Sequence, residues 1–268
     1  MDPKISMWLG VDPLMEKYPN VTGYCYTMDN PIKFIDPNGK ETYVIKNKTG
    51  TYTVVGGILN NNRGIYIASK DKSGKYTIKG EMIGISTSTT TFYNTDANKG
   101  KGGWAIGAQI NPNDKSGINF LNKIVSSNVT LDDYMKNART NHPYDFKVTN
   151  GGNSVINTTR TYIYRGMPIG KDRFGHILYS SGRDIGNMAA GIVAAKNGIP
   201  WSIARAAFDA YQTKNNMDKH GYSLDNINVE GKSTRNAEYY GWSQIYKYSN
   251  TKSKASNLWN SIKRFFSK

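Results

Sequence analysis

The stretch Gly182-Arg183-Asp184-Ile185-Gly186-Asn187-Met188-Ala189-Ala190-Gly191-Ile192-Val193-Ala194-Ala195-Lys196-Asn197-Gly198-Ile199-Pro200-Trp201 carries the strongest fold signal in the chain. No charge falls between Asp184 and Lys196, and small residues alternate with apolar ones, which predicts a helix over 185–196 that is buried on most sides. Asn197-Gly198 is a C-terminal stop, and Pro200 opens a second helix to about residue 213. There Trp201, Ile203, Ala204, Ala207, Phe208 and Tyr211 recur at i, i+3 and i+4 spacing, so the two helices are expected to pack as a buried αα-hairpin.

Working outward, Ser233 reads as the N-cap of a short helix to Tyr240, and residues 258–266 as a basic amphipathic tail helix. Upstream, helices are expected over 119–125 and over 131–139, the latter capped by Thr130 with Asp132 and Asp133 in its first turn. Residues 94–103 are rich in Gly, Lys and Asn and read as a loop. Before it come short β-branched and aromatic runs at 42–45, 52–55, 64–68, 75–78 and 82–85, separated by turn residues such as Lys72-Ser73-Gly74-Lys75. The fold class is therefore α+β: an antiparallel β meander in a β-rich part (41–103), followed by an α-rich part (104–268) with the αα-hairpin.

Composition narrows the function. The 268 residues carry a formal charge of +15, and residues 41–268 hold 31 basic against 15 acidic side chains. Such a surplus raises the encounter rate with polyanions, although a basic surface also serves solubility alone. Cys25 is the only cysteine, which excludes intrachain disulfides and cysteine-rich zinc sites. No run approaches the roughly 20 apolar residues of a membrane span, so stable membrane insertion is not expected. Met1 is followed by Asp-Pro-Lys and not by a basic start and an apolar run, so export is expected to depend on a larger carrier.

Residues 1–40 differ from the rest. Asp2-Pro3, Asp12-Pro13, Tyr18-Pro19-Asn20, Asn30-Pro31 and Asp36-Pro37-Asn38-Gly39 break them into short extended pieces that cannot form a core alone. With Trp8-Leu9, Glu16-Lys17-Tyr18 and Tyr24-Cys25-Tyr26 between them, these landmarks resemble the RHS repeat-associated core of bacterial RHS/YD-repeat proteins. The resemblance implies a shell remnant (1–40) ahead of a variable C-terminal toxin domain (41–268). It further implies secretion, with delivery by a secretion system into a target cell, and two partners: the RHS shell of the parent protein and a cognate immunity protein. Pro31 to Gly39 also fits the family's self-cleavage spacing, with Lys40 where the family has Leu.

Four clusters could carry chemistry: residues 141–147, Tyr164-Arg165-Gly166, Gly182 to Asn187, and Glu230 to Glu238. Together they resemble the polymorphic toxin type 44 family, which implies an RNase toxin acting on RNA or another polyanionic substrate. Metal-independent RNA cleavage needs a base, an acid and cations for the charged transition state. His142, Asp145, Lys147 and Asp184 are the candidate catalytic residues; Arg165, Arg183, Asn187, Glu230 and Ser233 are the candidate substrate-binding ones. A Tyr-Asp-Phe-Lys run that is extended places Asp145 and Lys147 on one face, as an ordinary half-buried strand also does. Asp184 can equally be a plain helix cap.

Other classes stay open. A carboxylate pair drawn from Asp145, Asp184, Glu230 or Glu238 would suit a cell-wall (peptidoglycan) hydrolase. Arg165 with Ser233-Thr234 suggests an ADP-ribosyltransferase, whose Glu-x-Glu pair is absent because Tyr239 and Tyr240 follow Glu238. A non-enzymatic adhesion tip is the remaining class. No phosphate-cradling Gly-x-x-x-x-Gly-Lys-Ser/Thr loop and no His-Glu-x-x-His motif is present, so no metal ligands are assigned and the cofactor is left undefined.

Overall fold

A computed structural model of the chain describes residues 40–60, 62–94, 102–152, 156–221 and 230–246. The shell-like residues 1–39 and the expected tail helix at 258–266 lie outside the described residues.

Seven strands close into a barrel. Its members are β1 (Lys40–Lys46), β2 (Tyr52–Leu59), β3 (Gly64–Lys70), β4 (Tyr76–Ser86), β7 (Gln109–Ile110), β8 (Gly166–Lys171) and β9 (Ile177–Ser181), in the order β1-β2-β7-β8-β9-β4-β3. The short strands β5 (Tyr93–Asn94) and β6 (Gly103–Trp104) pair only with each other. The α+β class holds, but the expected meander is corrected. The β1–β2 and β3–β4 hairpins form, yet β3 pairs with β1 in parallel and not with β2, with Thr42 opposite Ile65 and Val44 opposite Ile67. The two expected strands at 75–78 and 82–85 are one strand, β4, bulged where it passes Tyr66 to Ala68.

Closure rather than a meander follows from where the apolar side chains go. Val44, Val54, Ile65 and Ile110 are fully buried and meet Phe92, Tyr164 and Tyr179 inside the barrel. An open sheet of these strands would leave two edges unpaired, and closure removes both. The β3–β4 turn is local chemistry: the Asp71 carboxylate accepts from the Ser73 and Lys75 backbone N–H groups, and Gly74 takes φ +81°.

The helices form a second core. Between β7 and β8 lie α1 (Ser116–Ser126), α2 (Leu131–Asn137), α3 (Phe146–Thr149) and α4 (Arg160–Ile163); after β9 come α5 (Gly182–Lys196), α6 (Trp201–His220) and α7 (Lys232–Tyr246). Thr130 caps α2 by accepting from the Asp133 N–H at 3.1 Å, as expected. Helix α5 is buried along most of its length, and Ile185, Met188, Ala189, Val193 and Ala194 are at most 1% exposed. Its small residues admit a backbone neighbour, but that neighbour is α7 more than α6. A Cβ on Gly191 would strike the Glu238 carbonyl, and one on Gly241 the Met188 carbonyl. The α5–α6 pair is joined at Asn197–Pro200 as expected, while the closest packing is made with the helix that comes later.

Candidate functional site

The start of α5 leaves β9 directly, and Ser181 caps it by accepting from the Asp184 N–H at 3.3 Å. Asp184 is wholly buried. Its Oδ1 accepts from Arg183 Nε at 2.9 Å and Nη2 at 2.6 Å, while its Oδ2 has no hydrogen-bond partner. Arg183 also donates to the Tyr164 hydroxyl and the Thr90 carbonyl, each at 2.9 Å. Around this pair runs a seam of hydroxyls: Ser86 to Thr91 are all buried, and Thr87 Oγ1 reaches Ser180 Oγ at 3.3 Å. These groups sit where the barrel meets the helices, with the two charges paired to each other and Asp184 Oδ2 left over. Four of the five N–H groups of Arg183 are thus spent on the protein, and the side chain of Asn187, half-buried on the next turn, makes no hydrogen bond among the described residues.

Arg165 is likewise committed to the protein. Its Nη1 donates to the Lys147 and Tyr162 carbonyls at 2.8 and 3.0 Å, and its Nη2 to the Phe146 carbonyl and Asn150 Oδ1 at 2.9 and 2.8 Å. The guanidinium fork thereby uses its four terminal N–H groups on α3 and α4.

That commitment shapes the 141–147 segment and corrects the extended reading of Tyr144 to Lys147. Asp145 N–H donates to the His142 carbonyl at 2.9 Å, and the Val148 and Thr149 N–H groups return to the Asp145 carbonyl, so a turn feeds a single helical turn, α3. Asn141 completes it with φ 68°, a left-handed position that Asn tolerates. The consequence is a compact polar group. Asp145 is 4% exposed, its Oδ2 accepts from the Asn141 N–H at 3.1 Å, and its Oδ1 lies 3.5 Å from Lys147 Nζ. Lys147 and His142 are exposed on the same turn. Phe146 packs against Gly186 of α5, which fixes the turn on the helical core.

A third group joins the expected carboxylates Glu230 and Glu238 to two residues not singled out in the sequence, Arg205 and Asp209. Arg205 of α6 donates through Nη1 to Glu230 Oε2 at 3.0 Å and Glu238 Oε2 at 3.2 Å, and through Nη2 to Asp209 Oδ1. Glu238 is 2% exposed. Burial first, and then the hydrogen-bonded Glu230 beside it, push the Glu238 carboxyl well above the ordinary carboxylate range despite Arg205. Ser233, expected to cap this helix, instead lies buried inside its first turn. Tyr134 of α2 stands near both acid groups: its hydroxyl donates to the Gly186 carbonyl at 2.7 Å, and burial, reinforced by the Asp145 and Glu238 charges, holds the phenol in its neutral form.

Comparison with protein-family models, with curated proteins and with solved structures finds no match to this chain. The structure brings His142, Asp145 and Lys147 into one turn and Glu230 to Arg205 and Glu238, while Arg183, Asp184 and Arg165 are held in internal contacts. Among the described residues, no group of three or more His, Cys, Asp or Glu is placed to hold a metal ion, and no helix is long and apolar enough to cross a membrane. Sequence reasoning missed Tyr134, Arg205, Asp209 and the Ser86–Thr91 seam. The i, i+4 pair Arg205/Asp209 on an otherwise apolar helix face was the available signal for the second of these.

Proposed function

We propose that this chain is the toxin end of a secreted RHS-type protein and acts as a nuclease on RNA in the cytoplasm of a rival cell. The observation that carries the reading is the 141–147 turn: a carboxylate buried at Asp145, with the Lys147 ammonium 3.5 Å away and an exposed His142 three residues earlier, its carbonyl accepting from the Asp145 N–H. A base, an acid and a cation on one rigid turn are what 2′-hydroxyl activation and phosphate charge neutralisation require. The charge of +15 brings a polyanion to it, and the RHS-like residues 1–40 supply the delivery context. A cognate immunity protein follows from that context, and an acidic one would cover a basic site best.

One observation favours a second reading, a cell-wall hydrolase. Glu238 is buried beside Glu230, which together with burial raises its carboxyl well above the ordinary carboxylate range, the direction in which a general acid is tuned. A compartment test separates the two. The full chain expressed in a bacterial cytoplasm without a neighbouring immunity gene should arrest growth and degrade total RNA, and Asp145→Asn should abolish both. Harmless cytoplasmic expression with lysis on periplasmic export would overturn the nuclease in favour of the cell wall.

A further inference from the structure

On α7, Tyr239, Trp242 and Tyr246 follow one another at i, i+3 and i+7 and so share one helix face. Their rings form a ladder: Tyr239 and Trp242 are stacked at 5.9 Å between centroids, and Trp242 and Tyr246 at 4.2 Å. Trp201, from the first turn of α6, closes on it edge-first, 5.0 Å from Tyr239 and 6.0 Å from Trp242. All four residues are half-buried, Trp201 and Trp242 resting in part on the helical core, and Trp242 is anchored by donating from Nε1 to the Ile199 carbonyl at 2.8 Å. One turn before Tyr239, on the same face, comes Arg235. Its Nε is buried without a hydrogen-bond partner, and its guanidinium makes no ion pair among the described residues. The carboxylates closest to it along the chain, Glu230 and Glu238, are both taken by Arg205.

A core aromatic cluster would hide its faces, and a structural arginine would be bonded as Arg165 and Arg183 are. Here half-buried rings are aligned with a cation that makes no ion pair among the described residues, on a chain of +15. Alternating π-faces and a phosphate-seeking guanidinium are the elements of single-strand nucleic-acid binding, where bases stack and the backbone pairs with Arg. We infer that the α7 face formed by Arg235, Tyr239, Trp242 and Tyr246, with Trp201, binds a single-stranded nucleic acid, its bases on the rings and a phosphate at Arg235. The inference rests on the nuclease reading and names the strand form of its substrate. A neutral glycan strand would also lie on aromatic rings, but it leaves Arg235 unanswered.

The test uses the full chain carrying Asp145→Asn, so that binding is read without cleavage, and a fluorescein-labelled single-stranded RNA of about twelve nucleotides, within the usual site size. Tyr239→Ala should weaken binding about tenfold or more, Tyr239→Phe should restore it, and Arg235→Gln should weaken it while lowering the salt dependence by about one counterion. Should Tyr239→Ala fail to fold, quenching of tryptophan fluorescence in the unaltered ladder by the same oligonucleotide, diminished by Arg235→Gln, provides the readout. Binding within about twofold for both variants would overturn the inference, as would salt-independent binding of a chitin oligosaccharide at this face in place of RNA. RNA cleavage that persists with the ladder variants binding normally removes the inference alone; ladder-dependent binding by a chain that never cleaves RNA removes the nuclease reading alone.

Discussion

Asp184 Oδ1 receives both Nε and Nη2 of Arg183, and neither partner has more than 13% of its side chain exposed. Breaking a buried pair from one side leaves the other charge uncompensated, typically at about 3–5 kcal/mol. Asp184→Asn is therefore expected to lower stability by about 3 kcal/mol, which for a domain of this size is a melting temperature drop of roughly 6–12 °C. Calorimetry of the purified variant checks it; an unchanged melting temperature would show that the pair contributes nothing.

Asp145 should behave in the opposite way. Its partner Lys147 is 46% exposed, so the ion pair contributes at most about 1 kcal/mol, and an Asn there still accepts from the Asn141 N–H. Asp145→Asn is expected to keep its melting temperature within about 3 °C while lowering nuclease rate by about a hundredfold or more. Unaltered RNA cleavage by the purified variant would remove Asp145 from the site.

Arg165→Lys is expected to destabilise by about 2–4 kcal/mol, because one ammonium cannot satisfy three backbone carbonyls and the Asn150 amide oxygen that the guanidinium now reaches. Its ring contacts, 4.1 Å over Tyr162 and 5.0 Å over Phe146, are lost as well. Denaturant unfolding should show a lower midpoint with an unchanged slope.

The small-residue spacing in α5 and the turn signals between the first strands were readable because they are local. Barrel closure was not. The parallel pair Ile85 to Leu178 joins segments on either side of four helices, and the single β7–β8 rung, Ile110 to Gly166, has no sequence signature of its own. The alternation at Tyr144 to Lys147 imitates a strand, while backbone hydrogen bonds between His142 and Thr149 close it into a turn, which Arg165, eighteen residues beyond Lys147, then holds by its carbonyls. Likewise the Arg205 cluster is assembled from α6, α7 and Glu230 just ahead of α7, so no single stretch of sequence displays it.

Gly191 and Gly241 mark the closest approach of α5 and α7, where an added Cβ meets backbone and not a movable side chain. Gly191→Ala and Gly241→Ala are each expected to cost more than the gain in helix propensity of about 1 kcal/mol, for a net loss of about 1–3 kcal/mol. Together they should be less than additive, since the first already parts the helices. A double-mutant cycle on melting curves reads this directly, and strict additivity would place the two contacts apart.

Glu238 sets the expected pH dependence. Its carboxyl is raised in the folded chain by burial and by Glu230, so the folded state keeps a proton that the unfolded chain has already released. The groups facing it are Glu230, Asp209 and Arg205, with the Tyr134 phenol, neutral throughout this range, on the other side. Below the ordinary carboxylate range both states are protonated and the contribution is fully present. As pH rises from there through the raised folded value it is lost, because three carboxylates then share the single Arg205. Glu238→Gln keeps the shape and an oxygen for Arg205 but cannot ionise. The difference in melting temperature, variant minus parent, should therefore grow steadily from acid to neutral pH, whatever the other carboxylates do. A difference that is flat across that window would mean that Glu238 ionises as freely in the fold as outside it, and the second, acid-based reading of the site would go with it.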